Sequence, residues 1–283
     1  MSLSEIHFGK IKFSNHLPFV LIGGVNVLES ESFAEESAEY YQKICKKLDI
    51  PLVFKASYDK ANRSSNQSFR GPGLKKGLSI LNGIKRKYSI PVITDVHSPS
   101  EAYEAAQICD LIQLPAFLAR QTDLIKAMAE TNKIINIKKP QFISPSQVKN
   151  ITNKFKSFGN EKLLICERGS CFGYDNLVVD MLGFGVMKKT CNNAPLIFDV
   201  THSLQCRNSN ESISGGRGEQ VFELARSGIA IGISGIFIES HPNPEKALCD
   251  GPSALKLELL EDFLRDIKAI DNIVKKQTKT NIK

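Results

Sequence analysis

The sequence predicts an α/β fold, a (β/α)8 TIM barrel with a short N-terminal β-hairpin, on three observations. Eight short apolar runs recur along the chain, longer amphipathic stretches lie between them, and no Gly-x-Gly-x-x-Gly follows an early run. Strand–helix alternation repeated eight times implies a parallel sheet, and eight such units close into a barrel. The missing glycine signature argues against an open doubly wound sheet.

Strands are expected at Leu17–Gly23, Leu52–Ala56, Val92–Val96, Leu111–Leu114, Ile134–Ile137, Leu163–Cys166, Leu196–Val200 and Gly235–Ile238. They are rich in Val, Ile, Leu and Phe without clean polar alternation, the pattern of strands buried on both faces. Helical periodicity spans Glu31–Leu48, Leu74–Tyr88, Glu101–Gln107, Thr122–Thr131, Pro145–Phe158, Gly218–Ser227 and Leu255–Lys275. Residues 1–16 fall outside this rhythm; His7–Phe8 and Ile11–Phe13, joined by Gly9–Lys10, are expected to form a hairpin over the N-terminal mouth of the barrel. With no linker-like or low-complexity stretch, residues 1–283 read as a single domain ending in a frayed tail at 276–283.

The formal net charge of +7 invites a nucleic-acid reading, but its distribution opposes one. From Arg265 to the C-terminus six basic residues face only Asp266 and Asp271, so this segment alone carries +4 of the +7. That is the charge of a solvated helix end, and no RGG tract, zinc-finger spacing or stacking-aromatic motif accompanies it. The expected partners are therefore small molecules, with no nucleic acid and no membrane. Seven cysteines without a C-x-x-C pair suit a reduced, cytoplasmic protein and read as packing residues. Met1–Lys10 carries no apolar core of a secretory signal, and the apolar stretch Leu17–Leu28 is too short to span a bilayer.

Chemistry in such a barrel sits at the C-terminal ends of the strands. In order, the predicted ends carry Asn26 and Glu29; Lys55, Ser57, Lys60, Asn62, Arg63 and Ser64; Asp95 and His97; Gln113, Ala116, Phe117 and Arg120; Lys138, Lys139 and Gln141; Glu167 and Arg168; Asp199, His202 and Gln205; and Glu239, His241 and Asp250. Lys55, Lys60, Arg63, Arg120, Lys138 and Arg168 would crowd one mouth with few carboxylates to neutralise them. Such crowding is unfavourable unless anions occupy the site, and several separated cations suit two phosphates and a carboxylate.

His202, Glu239 and Asp250 could hold a divalent cation, with Asn26 as the natural fourth position. Asn offers only a neutral carbonyl oxygen, a poor ligand for zinc or iron beside His and carboxylates. The expectation is an acid–base and hydrogen-bonding group, with no metal and no cofactor.

Nine segments carry a resemblance to a known family: Lys55-Ala-Ser-Tyr-Asp-Lys-Ala-Asn-Arg-Ser-Ser65, Phe69-Arg-Gly-Pro-Gly73, Thr94-Asp-Val-His97, Gln113-Leu-Pro-Ala-Phe-Leu-Ala-Arg-Gln-Thr-Asp123, Asn136-Ile-Lys-Lys-Pro-Gln141, Phe172-Gly-Tyr-Asp-Asn-Leu177, Phe198-Asp-Val-Thr-His202, Ser214-Gly-Gly-Arg217 and Cys249-Asp-Gly-Pro-Ser253. In this order, from about Leu17 to Asp271, the chain resembles the 3-deoxy-D-manno-octulosonate 8-phosphate (KDO-8-phosphate) synthases, of the metal-independent class that has Asn at the position of Asn26. The resemblance implies condensation of phosphoenolpyruvate with arabinose 5-phosphate in a cytoplasmic homotetramer.

By that resemblance Lys60, Lys138 and Arg168, with Lys55, Ser57, Gln113, Gln141 and the backbone at Ala116, hold phosphoenolpyruvate. Asn62, Arg63, Ser64 and Arg120 hold the sugar phosphate; Phe117, beside it, shields one face of the enol. The Phe117–Arg120 segment is expected to act across a subunit boundary. Lys60, His202, Asp250, Asn26 and Glu239 form the catalytic set. The related enzymes that make a seven-carbon product have Lys-Pro-Arg-Thr where this chain has Lys60-Ala-Asn-Arg-Ser64, which favours the five-carbon acceptor. Two other readings remain open to the residues alone: a Schiff-base aldolase using Lys55 or Lys138, and a non-catalytic sugar-phosphate-binding barrel.

Overall fold

Side chains alternate between the two faces of a strand, and in this chain that alternation separates a packed barrel interior from a helix-facing shell. The computed structural model describes residues 4–206 and 215–277. Two short strands, β1 (Ile6–Phe8) and β2 (Ile11–Phe13), pair antiparallel as the expected hairpin. The barrel strands are β3 (Val20–Val27), β4 (Leu52–Ser57), β5 (Val92–Asp95), β6 (Leu111–Leu114), β7 (Ile134–Lys138) and β8 (Leu163–Glu167), followed after a small excursion by two more. The excursion strands β9 (Ser170–Phe172) and β10 (Asn176–Val178) pair antiparallel with each other, ahead of β11 (Leu196–Asp199). Next come β12 (Gln205–Cys206), β13 (Gly215–Gly216), β14 (Gly235–His241) and the short β15 (Leu255–Lys256).

The barrel closes in parallel register. Strands β3 to β8 and β11 pair in sequence, β11 pairs with β14, and β14 pairs with β3 through Gly235↔Val20 to Glu239↔Gly24. Inside, Val20, Ile22, Val53, Ile93, Leu111, Ile134, Leu164, Cys166, Ile197 and Phe237 form one buried cluster, joined from below by Ile6 and Phe13 of the hairpin. Residues of opposite parity, among them Leu21, Phe54, Ile112, Ile135, Ile165, Phe198 and Ile236, pack under the helices. The sequence shows no clean alternation because both faces are apolar over the lower half of each strand.

The helices are α1 (Glu31–Lys47), α2 (Leu74–Tyr88), α3 (Pro99–Ile108), α4 (Thr122–Glu130), α5 (Val148–Ser157), α6 (Met181–Thr190), α7 (Val221–Ile229) and α8 (Leu260–Lys276). Serines start two of them: Ser30 Oγ accepts from Phe33 N at 3.1 Å, and Ser98 caps α3 with Pro99 in its first turn. None of the described helices is long and apolar enough to cross a membrane.

Several elements differ from expectation. The first strand runs past Gly23 to Val27, with an irregular register between Gly24 and Val27. A Cβ at Gly24 would sit 2.1 Å from the Lys55 carbonyl oxygen, so only glycine lets β3 and β4 approach here. Helix α6 was not expected, because Gly183 and Gly185 interrupt an otherwise apolar stretch that lacks a polar face. Lys276 of the expected tail is the last residue of α8, and Leu255–Leu259 form a short strand and a 3-10 turn ahead of that helix. Residues 1–3 of the hairpin extension, 278–283 of the tail and Ser214 of the Ser214–Arg217 motif lie outside the described residues.

Candidate active site at the C-terminal mouth

The parity that places Val53, Ile93, Leu111, Ile134, Ile197 and Phe237 inside the barrel carries polar residues inward one step further along each strand. These are Lys55 and Ser57 on β4, Asp95 on β5, Gln113 on β6, Asn136 and Lys138 on β7, Asp199 on β11 and Glu239 on β14, all buried. An apolar plug below and a polar floor above follow from the same repeat.

The polar floor is a continuous chain of contacts. Asn136 Nδ2 donates to Gln113 Oε1 at 2.8 Å, and Gln113 Nε2 and Ser57 Oγ donate to the two oxygens of Asp95. Lys55 Nζ stands 3.6 Å from Asp95 Oδ2, 2.5 Å from Glu239 Oε1 and 3.2 Å from the Asn26 carbonyl oxygen. Glu239 Oε2 is 3.5 Å from His202 Nε2. His202 Nδ1 is 2.8 Å from Asp199 Oδ2, which also accepts from Lys138 Nζ at 2.5 Å. Lys138 thereby returns the chain to β7.

Above this floor lies an open cleft. Lys55, Lys60, Asn62, Gln113, Ala116, Phe117, Lys138, Arg168 and His202 of the expected site line it, together with Asp59, Asp95, His97 and Asp199. Ser57 lies in the floor through Asp95, and Asn26, Glu239 and Asp250 gather around His202. Asn26 Nδ2 donates to Asp250 Oδ2 at 2.7 Å, and His202 Nε2 lies 3.8 Å from that oxygen. Gln141 is buried at the exit of β7 with no hydrogen bond to its side-chain oxygen among the described residues.

Gln141 is absent from the cleft lining, and three further expected residues are not drawn in. Arg63 is half-buried and bonds the Cys249 sulfur and, at 3.4 Å, the Leu248 carbonyl oxygen. Ser64 and Arg120 are exposed. Arg120 follows the 3-10 turn Ala116–Leu118, which carries its side chain outward while Phe117 remains on the cleft.

The charge balance corrects the expectation of cations with few carboxylates. Asp95, Asp199, Glu239 and Asp250 stand among Lys55, Lys60, Lys138 and Arg168; Lys55 pairs directly with Asp95 and Glu239, and Lys138 with Asp199. Burial alone would raise the Asp199 pKa, but His202, Lys138 and Arg168 hold the carboxyl well below the usual range. Burial is likewise overcome at Glu239 by Lys55, His202 and Lys60, at Asp95 by Lys55, Lys60 and His97, and at Asp250 by Lys60, His202 and the Asn26 hydrogen bond. Burial would pull the Lys60 ammonium down, yet Glu239, Asp250 and Asp95 keep it above the ordinary lysine value. Burial lowers Arg168, whose Nε is buried without a hydrogen-bond partner among the described residues. The Cys249 thiol beside Asp250 is pushed up to about 12 by burial, so it is not a thiolate nucleophile near neutrality.

His202, Glu239 and Asp250 present ligand atoms within 4.8 Å of one another. The fourth side fits a metal poorly: Asn26 turns its amide N–H towards Asp250 Oδ2 and offers no anionic atom. The orientation of that amide follows from its acceptor-only partner.

A family model described as the DAHP synthetase I family matches residues 3–276. The chain belongs to this family. Among relatives of this DAHP synthetase I member, proteins named 2-dehydro-3-deoxyphosphooctonate aldolase share 66% identity in Prochlorococcus marinus (strain MIT 9313), over 97% of both chains. They share 63% in Parasynechococcus marenigrum (strain WH8102), over 100% of both. They share 59% in Escherichia coli O157:H7, over 97% of both.

Asp95, Asp199 and Asn136 carry the polar floor, yet none of them was given a role from the sequence. The available signal was positional: each stands two residues beyond an inward-facing apolar residue of its strand.

Proposed function

We propose that the chain condenses phosphoenolpyruvate with D-arabinose 5-phosphate and water to give 3-deoxy-D-manno-octulosonate 8-phosphate and inorganic phosphate, a step of lipopolysaccharide (KDO) biosynthesis. The observation that carries the proposal is the meeting of Lys60, Lys138 and Arg168, from three strand exits, on one cleft. Relatives 59–66% identical over nearly the whole chain, all named for the eight-carbon product, support it. The acceptor follows from Lys60-Ala-Asn-Arg-Ser64, which departs from the pattern of the seven-carbon enzymes.

In this reading C3 of the enol forms a bond to the aldehyde carbon of the sugar while water adds at C2. The tetrahedral intermediate then expels phosphate by cleavage of its C–O bond. The barrel holds two mutually repelling anions in contact, an entropic and electrostatic task. Lys60, Lys138 and Arg168, with Lys55, Ser57, Gln113, Gln141 and the Ala116 backbone, bind phosphoenolpyruvate. Lys60, kept cationic by its carboxylate neighbours, donates to the aldehyde oxygen as it becomes an alkoxide. Phe117 covers one face of the enol, and Asn62, Arg63, Ser64 and Arg120 receive the sugar phosphate.

For Arg63 this requires exchange of Cys249 and the Leu248 carbonyl for the sugar phosphate. For Arg120, exposed beside Phe117, it fits a role across the boundary of a homotetramer. His202, Glu239, Asp250 and Asn26 orient the attacking water and move its protons, without a metal. Residues 1–283 act as one domain in the cytoplasm, with 1–16 as an N-terminal extension.

The test is to mix the purified protein with phosphoenolpyruvate and arabinose 5-phosphate and follow phosphate release and the eight-carbon product. Saturable binding of both compounds without release would turn the proposal towards a binding protein.

A further inference from the structure

Lys139 stands beside Lys138 at the exit of β7, but it does not line the cleft and no part of it is exposed. Its Nζ donates to the Gly169 carbonyl oxygen at 3.1 Å, the Ser170 hydroxyl at 3.0 Å and the Pro140 carbonyl oxygen at 3.3 Å. It also lies 3.4 Å from Glu167 Oε1. That carboxylate oxygen accepts from the backbone N–H of Arg168 at 2.9 Å and of Gly169 at 2.6 Å. A lysine has three N–H hydrogens to give, so this ammonium is fully spent on one turn and its two flanks. Burying such a pair is unfavourable unless every member is satisfied, and here the contacts fall on Glu167 and Gly169, which flank Arg168, and on Pro140 and Ser170.

The turn it grips is narrowly defined. Gly169 has φ +91°, and a Cβ there would lie 3.2 Å from Leu177 Cβ on β10. Glu167 therefore fixes the two peptide N–H groups of a turn that only glycine completes, and Arg168 projects from its middle. The guanidinium then reaches the His202 carbonyl oxygen at 3.0 Å and Gln205 Oε1 at 2.6 Å, which leaves Nε buried without a partner among the described residues. Bonding of Lys139 to Pro140 and of Cys171 N to the Gln141 carbonyl oxygen at 2.9 Å ties the neighbouring Gln141 segment to the same turn.

We propose that Lys139 and Glu167 are positioning residues that set Arg168, through the Arg168–Gly169 turn, to meet an anionic group of phosphoenolpyruvate. This inference rests on the reading above that Arg168 binds that substrate. Its chemical content is selectivity between substrates: loosening the turn misaims one arginine fork and leaves the sugar-phosphate side of the cleft in place.

The experiment is steady-state kinetics on the full chain for Lys139→Met, Glu167→Asp and Arg168→Lys, singly and with Arg168→Lys combined with each of the others. Glu167→Asp keeps the charge in its pocket and withdraws the oxygen from both N–H groups, so it reports on the turn even where Lys139→Met fails to fold. The expected result is a KM for phosphoenolpyruvate raised on the order of tenfold or more, with KM for arabinose 5-phosphate within about twofold. Adding either change to Arg168→Lys is expected to raise it by less than about twofold further, because both act through that arginine.

An unchanged KM for phosphoenolpyruvate in folded Glu167→Asp, or equal rises for both substrates, would overturn the inference. If wild-type protein releases no phosphate, or Arg168→Lys leaves the phosphoenolpyruvate KM unmoved, the reading beneath it fails instead.

Discussion

One oxygen of Asp199 is shared between Lys138 and His202: Oδ2 lies 2.5 Å from Lys138 Nζ and 2.8 Å from His202 Nδ1. A cation proposed to bind substrate and an imidazole proposed to handle protons are thus oriented by one buried carboxylate. Hydrogen bonding at Nδ1 leaves His202 Nε2 facing Glu239 and Asp250. The mouth of the barrel is therefore a set of interlocked ion pairs, and changes at single residues separate binding, chemistry and stability.

Lys60 tests the chemistry. It enters no ion pair among the described residues and lines the cleft, so Lys60→Ala is expected to lower kcat by at least about a hundredfold while the barrel stays folded. Circular dichroism and a melting curve alongside the phosphate-release assay check both halves. A variant with near wild-type turnover would remove Lys60 from the mechanism.

Lys55 tests stability. Its side chain and that of Glu239 are each 1% exposed, and it is the cation nearest both Glu239 and Asp95. Lys55→Met leaves two buried carboxylates without it and is expected to destabilise the fold by about 3–5 kcal/mol. Urea unfolding measures this, and a loss below about 1 kcal/mol would show the pairs to be loosely held.

The pH dependence has a definite sign. Burial would raise Asp95, Asp199, Glu239 and Asp250, but their cationic neighbours hold all four below ordinary carboxylate values. Groups depressed in the folded state bind fewer protons there than in the unfolded chain. Their contribution is complete above the unfolded values, roughly pH 4 to 4.5, and is lost as pH falls through the folded ones. The urea midpoint is expected to be level from pH 7 to about 5 and to fall steeply below about 4, less steeply in Asp199→Asn. Stability that rises on acidification would contradict the assignment.

Chelation tests the reading of Asn26. Its amide donates to Asp250 in place of adding a fourth anionic or imidazole ligand to His202, Glu239 and Asp250. Activity is expected to survive exhaustive dialysis against EDTA. Loss of activity, restored by zinc or manganese, would make this cluster a metal centre.

Much of this was legible in the sequence, for identifiable reasons. The eight strands announce themselves because both faces of a parallel strand are apolar, and the inward direction of Lys55, Gln113 and Lys138 follows from period-two counting. The ion pairs were not legible. Lys55 meets Glu239 across 184 positions of sequence and Lys138 meets Asp199 across 61, and only strand pairing, with β14 closing on β3 for the first pair, brings them together. Hence a mouth read as an excess of positive charge is in fact balanced by four carboxylates. Arg63 and Arg120 sit on loops, where residue spacing does not set direction, and neither lines the cleft that Lys60 and Asn62 line.

Lys60, Lys138 and Arg168 are proposed to bring phosphoenolpyruvate and a five-carbon sugar phosphate together in one cleft. Phosphate released from phosphoenolpyruvate, measured in parallel with arabinose 5-phosphate and with erythrose 4-phosphate as acceptor, decides whether they do. Rapid release with the five-carbon acceptor and little with the four-carbon one is the predicted result. Equal or greater release with erythrose 4-phosphate, or none with either, would contradict it.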